Sequence, residues 1–351
     1  MTESDTALEL MGVPGSPYTR KMLALLRYRR IPYRLLPSSR HLLAADNDRF
    51  RPRPQPTVAL LPTFYIKDET GTEQAVCDTT PLIREFEVRY TGRSVIPKYP
   101  ALAFIDYLLE DYADEWLTKA MFHYRWSYPE DIDKAGQILP RWNNSTADEA
   151  QIAQKSRQIS ELQISRLRYV GSSELTRETI EQSFDRLLNL LDKHLQQFPF
   201  LLGNRPAACD FAIYGQLTCL ALFDPTPQQK VIRQAPRIYA WTESMEDLSG
   251  YETLKDDWIK PESLPQTLIA LLQEVGRIYV PYLLANGDAV ANGEQEMTME
   301  LDGRPWRQSP FRYQAKCLRW IRQEFTRLAE SDRTLLENQL QATAVLDLFA
   351  D

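Results

Sequence analysis

The stretch Leu8–Arg30, LELMGVPGSPYTRKMLALLRYRR, constrains this chain most, because it reads as a buried strand, a tight turn and a helix in direct succession. Leu8, Leu10 and Val13 supply the strand. Gly12, Pro14 and Gly15 break it, Ser16 is a good N-cap, and Pro17 suits the first helical position. Tyr18, Met22, Leu25, Leu26 and Arg29 then recur at helical spacing. The first backbone N–H groups of such a helix lack partners within it, and the helix dipole adds partial positive charge. With a hydroxyl at its cap, this turn is a place to hold an anion. Ser16 as a plain helix cap fits the same residues, and the stretch alone leaves both readings open.

At 351 residues the chain exceeds one ordinary domain. Its formal charge of −7 argues against nucleic acid or an anionic membrane as the main partner. No run approaches the length of a membrane span on this reading, and MTESDTALEL lacks the basic-then-apolar order of a signal peptide. Cys77, Cys209, Cys219 and Cys317 are widely spaced, and His41, His123 and His194 are scattered. A reduced, cytoplasmic protein without structural metal or disulfides is the expectation.

After the first helix, Ile31–Leu36 reads as a second strand, parallel to the first because a helix joins them. Pro37–Pro56 is irregular and basic. Val58–Ile66 reads as an apolar strand with Pro62 inside it, which a central strand disfavours; one escape is that Pro62 opens the strand, with Leu61–Pro62 as a tight junction open to the cis form. The polar turn at Lys67–Glu73 and Gln74–Cys77 complete a hairpin. Asp78-Thr79-Thr80-Pro81 then starts a helix carrying Leu82, Ile83, Phe86 and Tyr90. Beyond the proline-punctuated Ser94–Pro100, helices are expected over Ala101–Trp126, Ala147–Tyr169, Thr176–Phe198, Ala208–Phe223, Pro236–Leu248 and Leu264–Asn286. Glu296–Leu301 and Arg304–Arg307 flank an Asp302-Gly303 hairpin turn, and helices near Pro310–Leu328 and Ser331–Phe349 close the chain.

Four motifs carry a resemblance: Ser16-Pro17-Tyr18-Thr19-Arg20, Leu61-Pro62, Asp78-Thr79, and FLLGNRPAACDFAIYG at Phe200–Gly215. In this order and spacing the chain resembles the cytosolic glutathione transferase superfamily, in a bacterial transferase-like subgroup with a long C-terminal extension. The resemblance implies an α/β thioredoxin-like N-terminal domain followed by an all-α helical bundle. It divides the chain into a glutathione-binding domain at 1–93, a bundle at 101–248 and an extension with a short hairpin at 249–351. It also implies glutathione as co-substrate, a small-molecule electrophile as second substrate and a homodimer, with no metal, nucleic acid or membrane involved.

By that resemblance Ser16 faces the glutathione sulfur, with Tyr18 as the rival hydroxyl. Leu61 before Pro62 pairs with the glutathionyl cysteine backbone, and Asp78 with Thr79 binds the γ-glutamyl end. Asp78-Thr79 stands where Glu-Ser is commoner, and Ala207 where a Ser or Thr cap is expected, which leaves Asp210 as half of a capping pair. The glycyl carboxylate wants a cation, and Arg49, Arg51, Arg53 and Arg20 are candidates. The electrophile pocket is expected between the first unit and the bundle's first helix, where Tyr112, Trp116, Phe122, Tyr124 and Trp126 are available as pocket or as core. Asp111, Asp114 and Glu115 pair with Lys119 or Arg125, or project toward substrate.

A thiol of ordinary pKa is mostly protonated at neutral pH, and a donor at a helix start favours its thiolate. A serine donates to a thiolate but forms no mixed disulfide, so conjugation, addition or isomerisation fits Ser16 better than thiol–disulfide exchange. The competing reading is a non-catalytic binding or assembly protein of the same fold.

Overall fold

Residues 7–36, 53–254 and 257–350 are described by the computed structural model. β1 (Leu8–Met11) leads through the Gly12–Ser16 turn into α1 (Pro17–Tyr28), and β2 (Tyr33–Leu36) lies parallel to β1. β3 (Thr63–Lys67) begins just after Pro62, so the proline precedes the ladder rather than interrupting it. The Leu61–Pro62 bond is cis. The strand expected over Val58–Ile66 is therefore shorter, and Val58 and Leu60 are exposed. β4 (Glu73–Val76) completes a mixed sheet of order β2–β1–β3–β4, and α2 (Thr79–Arg89) follows. This is a thioredoxin-like unit.

From residue 100 onward helices build a bundle. α3 (residues 100–127) is continuous but widens into one π-type turn at Ala113–Leu117. α4 (Pro129–Asn143), α5 (Glu149–Ser165), α6 (Arg177–Leu195) and α7 (Ala208–Phe223) come next. α8 (Pro225–Gln234) and α9 (Pro236–Ser244) follow. Sequence reading missed α4 and α8. Each opens on a proline that suits the first helical turn, and α4 carries Ile132, Ala135, Leu139 and Trp142 at helical spacing, so a signal was present; Pro140 lies inside α4. At the start of α7, Ala207 offers no side-chain oxygen. Asp210 accepts from both Ala207 N and Leu201 N at 2.8 Å. Gly215 lets α7 approach α1, since a Cβ there would lie 2.6 Å from the Pro17 carbonyl oxygen.

α10 (Gln266–Ala291) corrects the expectation that no run reaches membrane-span length. It is long and apolar enough by length and composition, yet 61% of its most apolar window is buried inside the protein. A core helix passes the same test. A hairpin of β5 (Met297–Leu301) and β6 (Arg304–Gln308) turns at Asp302-Gly303, both at positive φ, as a two-residue turn demands. α11 (Arg312–Arg327) and α12 (Glu330–Leu340) follow; the last expected helix stops at Leu340, and Ala344 at positive φ separates it from a short 3₁₀ turn at Val345–Phe349.

One hydrophobic core runs through the bundle and residues 258–348 alike. Phe104 packs edge-on against Phe325 and Phe349, Tyr112 against Tyr279, and Trp116 against Tyr282. A second core lies beneath the sheet, between α1, α2 and the start of α7. α1 is thereby wedged between sheet and bundle, which holds the Ser16 turn at their junction.

Candidate active site at the Ser16 turn

Ser16 caps α1 with extended φ and ψ, and its oxygen accepts from Thr19 N at 3.2 Å. Its hydroxyl donates to the Leu61 carbonyl at 3.3 Å, which joins the helix start to the cis junction. That distance is long for an O–H···O bond, so the proton is weakly held and readily redirected to a better acceptor. The Leu61 N–H has no hydrogen-bond partner among the described residues. Ser16 and Leu61 thus meet at the cis junction with Pro62.

Tyr18 lies elsewhere. Its hydroxyl donates to the Asp114 carbonyl at 2.7 Å, and burial, with Glu115 and Asp114 nearby, raises its pKa well above the usual phenol range. As a rival thiolate donor it is already committed to the bundle.

Asp78 and Thr79 sit beside α1, but both have partners. Asp78 takes φ +84 and does not cap α2; its Oδ2 accepts from the Tyr313 hydroxyl at 2.9 Å. The Thr79 hydroxyl accepts from Lys21 Nζ at 3.1 Å. Lys21, on α1, is wholly buried and pairs with Glu110 at 2.8 Å and Asp114 at 2.6 Å. Burial works against its charge, yet Asp114 and Glu110 together hold its pKa above the usual value. Glu110 also meets Arg84 and Thr80. Burial pushes Asp114 up to about 6 despite Lys21. Sequence reading missed this network; a lysine among apolar residues on α1 was its only local trace.

Arg53 is not placed for a glycyl carboxylate. It bridges Glu73 at 2.9 Å and Glu9 at 2.6 Å, so two carboxylates already neutralise it. Arg20 pairs with Glu246 at 2.5 Å. Arg49 and Arg51 lie outside the described residues.

The pocket assignment needs correction too. Tyr112, Trp116 and Tyr124 are buried in the bundle core, where Tyr279, Tyr282 and Phe184 fill the space around them. On a helix covered on all sides, aromatic residues become core. Asp111 accepts from Tyr279, and Lys119 donates to Tyr282 at 3.0 Å; neither projects toward the Ser16 turn. Arg125 does reach the turn: its Nη1 donates to the Gly15 carbonyl at 3.1 Å. Beside it is a cavity of about 160 Å³ bordered by Gly15, Arg125, Trp142, Cys219 and Phe223. Gly15 is required there, because a Cβ would lie 2.4 Å from the Trp142 ring. A larger hollow of about 420 Å³, bordered by Glu130, Lys230 and Arg233 among others, shares no residue with this turn.

Among the described residues no cluster of His, Cys, Asp or Glu could hold a metal ion. Residues 10–94 match the family model for the glutathione S-transferase N-terminal domain, and residues 163–244 match that for the C-terminal domain. This is a glutathione S-transferase superfamily fold. Its added length lies at the C-terminal end, where residues beyond 244 match neither model. Similar solved structures include a glutathione S-transferase from Methylobacterium radiotolerans in complex with glutathione sulfonate. It is 15% identical, with 72% of this chain and 100% of that chain covered and a TM-score of 0.39. FzlA from C. crescentus is 13% identical, with 73% and 96% covered and a TM-score of 0.39. A glutathione S-transferase from Rhodospirillum rubrum is 15% identical, with 72% and 96% covered and the same score. No curated protein matches the chain.

Proposed function

We propose that this protein binds glutathione at the Ser16 turn and adds its thiolate to a small electrophile. The observation that carries the reading is the Ser16 hydroxyl. It sits at the start of α1 beside the cis junction, its proton held only by a 3.3 Å bond to Leu61. A glutathione sulfur at that helix start would take this hydrogen bond, and the N-terminal end of α1 would favour its negative charge. Leu61, with a backbone N–H to spare, would pair with the cysteinyl backbone, and the Asp78 carboxylate would receive the γ-glutamyl ammonium.

A second reading, a non-catalytic binding or assembly protein, is favoured by the partners Asp78 and Thr79 already have in Tyr313 and Lys21. Retention on immobilised glutathione, followed by conjugation of a chromogenic electrophile, separates the two. Retention with turnover supports the enzyme; absence of both supports the second reading. With the first reading go a homodimer, cytoplasmic location and a division at 1–93, 101–248 and 249–351. Light scattering giving a clean monomer mass at micromolar concentration would remove the dimer.

A further inference from the structure

The C-terminal end of α1 lies roughly 16 Å along the helix from the Ser16 turn, and four arginines gather there. Arg29 pairs with Glu87 at 3.0 Å and Arg30 with Glu252 at 2.8 Å. Among the described residues Arg93 and Arg205 make no ion pair, so two positive charges stand uncompensated. Arg93 donates from Nε to the Tyr28 carbonyl and from Nη2 to the Leu248 carbonyl at 2.9 Å. Arg205 places Nε and Nη2 on the Ser94 carbonyl at 3.1 and 2.8 Å. These bonds fix both guanidiniums to the backbone and leave each Nη1, with two N–H groups, unpartnered and open to solvent. The two are neighbours: Arg205 is held by the carbonyl of the residue after Arg93, and both border Tyr28, with Arg93 4.4 Å from its ring centre. Burial lowers the pKa of Arg93, and Arg30 and Arg205 lower it further, so the cluster repels itself. Arg30 and Arg93 also take φ of +55 and +47, the region that favours glycine. Capping the end of α1 accounts for one donor of Arg93, but not for two spare charges with their Nη1 groups turned to solvent.

We propose that Arg93 and Arg205 together bind a phosphate monoester, its terminal oxygens accepting from the two Nη1 groups. Such an ester carries close to two negative charges at neutral pH, which matches the two uncompensated guanidiniums. Its tetrahedral oxygens can accept from two guanidiniums at once, whereas a planar carboxylate is served by one fork. The site uses no residue of the Ser16 turn, so it stands or falls apart from glutathione binding.

The test is calorimetric titration of the purified full chain, at fixed ionic strength, with methyl phosphate and with its singly charged isostere methyl sulfate. At about pH 7.5 methyl phosphate should bind on the order of ten- to a hundredfold more tightly. The preference should shrink at about pH 5, where the phosphate keeps one charge. Arg93→Gln and Arg205→Lys should each weaken methyl phosphate by about tenfold or more, with thermal melting used to check that they fold. Arg93→Gln gives up ties to two carbonyls; should it unfold, Arg205→Lys, which keeps the charge and loses the fork, decides alone. Phosphatidic acid presents the same group on a lipid. Cosedimentation with phosphatidylcholine vesicles that contain it, lost in Arg205→Lys, would assign the site to a headgroup; methyl phosphate binding without cosedimentation would assign it to a soluble ester. Equal affinities for the two esters in the wild type overturn the proposal, as does a folded Arg205→Lys that binds methyl phosphate like the wild type.

Discussion

Helix α3 is gripped from two sides, and a buried lysine marks each seam. Toward the first unit, Lys21 lies between Glu110 and Asp114, with Arg84 and Thr79 joined to the same group. Toward the C-terminal extension, Lys119 stands 4.2 Å from the Tyr282 ring centre and 5.9 Å from those of Trp116 and Trp306. Among the described residues it makes no ion pair; its donors go to Tyr282, the Val170 carbonyl and Gln308. Both ammonium groups are out of water. Compensation by carboxylates keeps Lys21 charged, whereas burial pushes Lys119 down to about 7. Opposite charges therefore hold α3 at the seam beneath the Ser16 turn; on its other side α3 meets the extension through rings and apolar area with a titrating group inside it, while the extension reaches α6 through ion pairs, where Arg186 meets Glu274 at 2.7 Å and Asp302 at 3.0 Å.

The largest expected effect comes from breaking the ionic seam. Lys21→Met leaves Glu110 and Asp114 buried without their shared cation and should cost about 3–5 kcal/mol, measured by urea unfolding at pH 7. A loss below about 1 kcal/mol, the range of exposed pairs, would mean that Arg84 alone compensates both acids.

Ser16→Ala should leave that seam intact. It should slow conjugation on the order of tenfold to a hundredfold by removing one hydrogen bond to an anion, while glutathione affinity changes little. Thiolate absorbance of the bound glutathione against pH is the direct readout. An unchanged titration would reduce Ser16 to a helix cap worth about 1 kcal/mol.

The aromatic seam should show itself in pH. The folded Lys119 has released its proton above about 7, while the unfolded lysine holds one up to its usual 10.5. Its contribution is therefore full above the unfolded value and is lost as pH falls toward 7, by up to about 1.4 kcal/mol per unit. Glu115 has the opposite sign: burial, then Asp111, raise it to about 8. Its contribution is present below the usual carboxyl range and is lost as pH rises toward 8. Stability should pass through a minimum near neutrality. Lys119→Met should abolish the recovery on the alkaline side, and Glu115→Gln should flatten the acid-side decline. Identical profiles for wild type and Lys119→Met would place the titration elsewhere.

Tyr313 crosses from the extension to the first unit and gives the smallest expected change. Tyr313→Phe frees Asp78 at a stability cost of about 1 kcal/mol. Glutathione should then bind several-fold more tightly, because its ammonium no longer competes for the carboxylate. Unchanged affinity in calorimetry would show that Tyr313 and glutathione do not share Asp78.

What the chain declares locally came through in the structure. Ser16 and Pro17 start α1, Pro62 opens β3, and Asp302-Gly303 turns the hairpin, because caps, fixed φ and positive φ depend on residues a few positions apart. The switch from sheet to bundle was legible for the same reason, as a change of apolar period near residue 100. Only tertiary structure decided which charges meet. Lys21 finds acids 89 and 93 positions away, Asp78 finds Tyr313 at 235, and Arg125 finds the Gly15 carbonyl at 110. No local rule reads such separations. The same limit misplaced the pocket: Tyr112 and Trp116 have the residue types of a binding wall, but the extension supplies Tyr279 and Tyr282 to bury them. Whether an aromatic side chain lines a cavity or fills a core depends on what packs opposite it, and here that is chain more than 160 positions away.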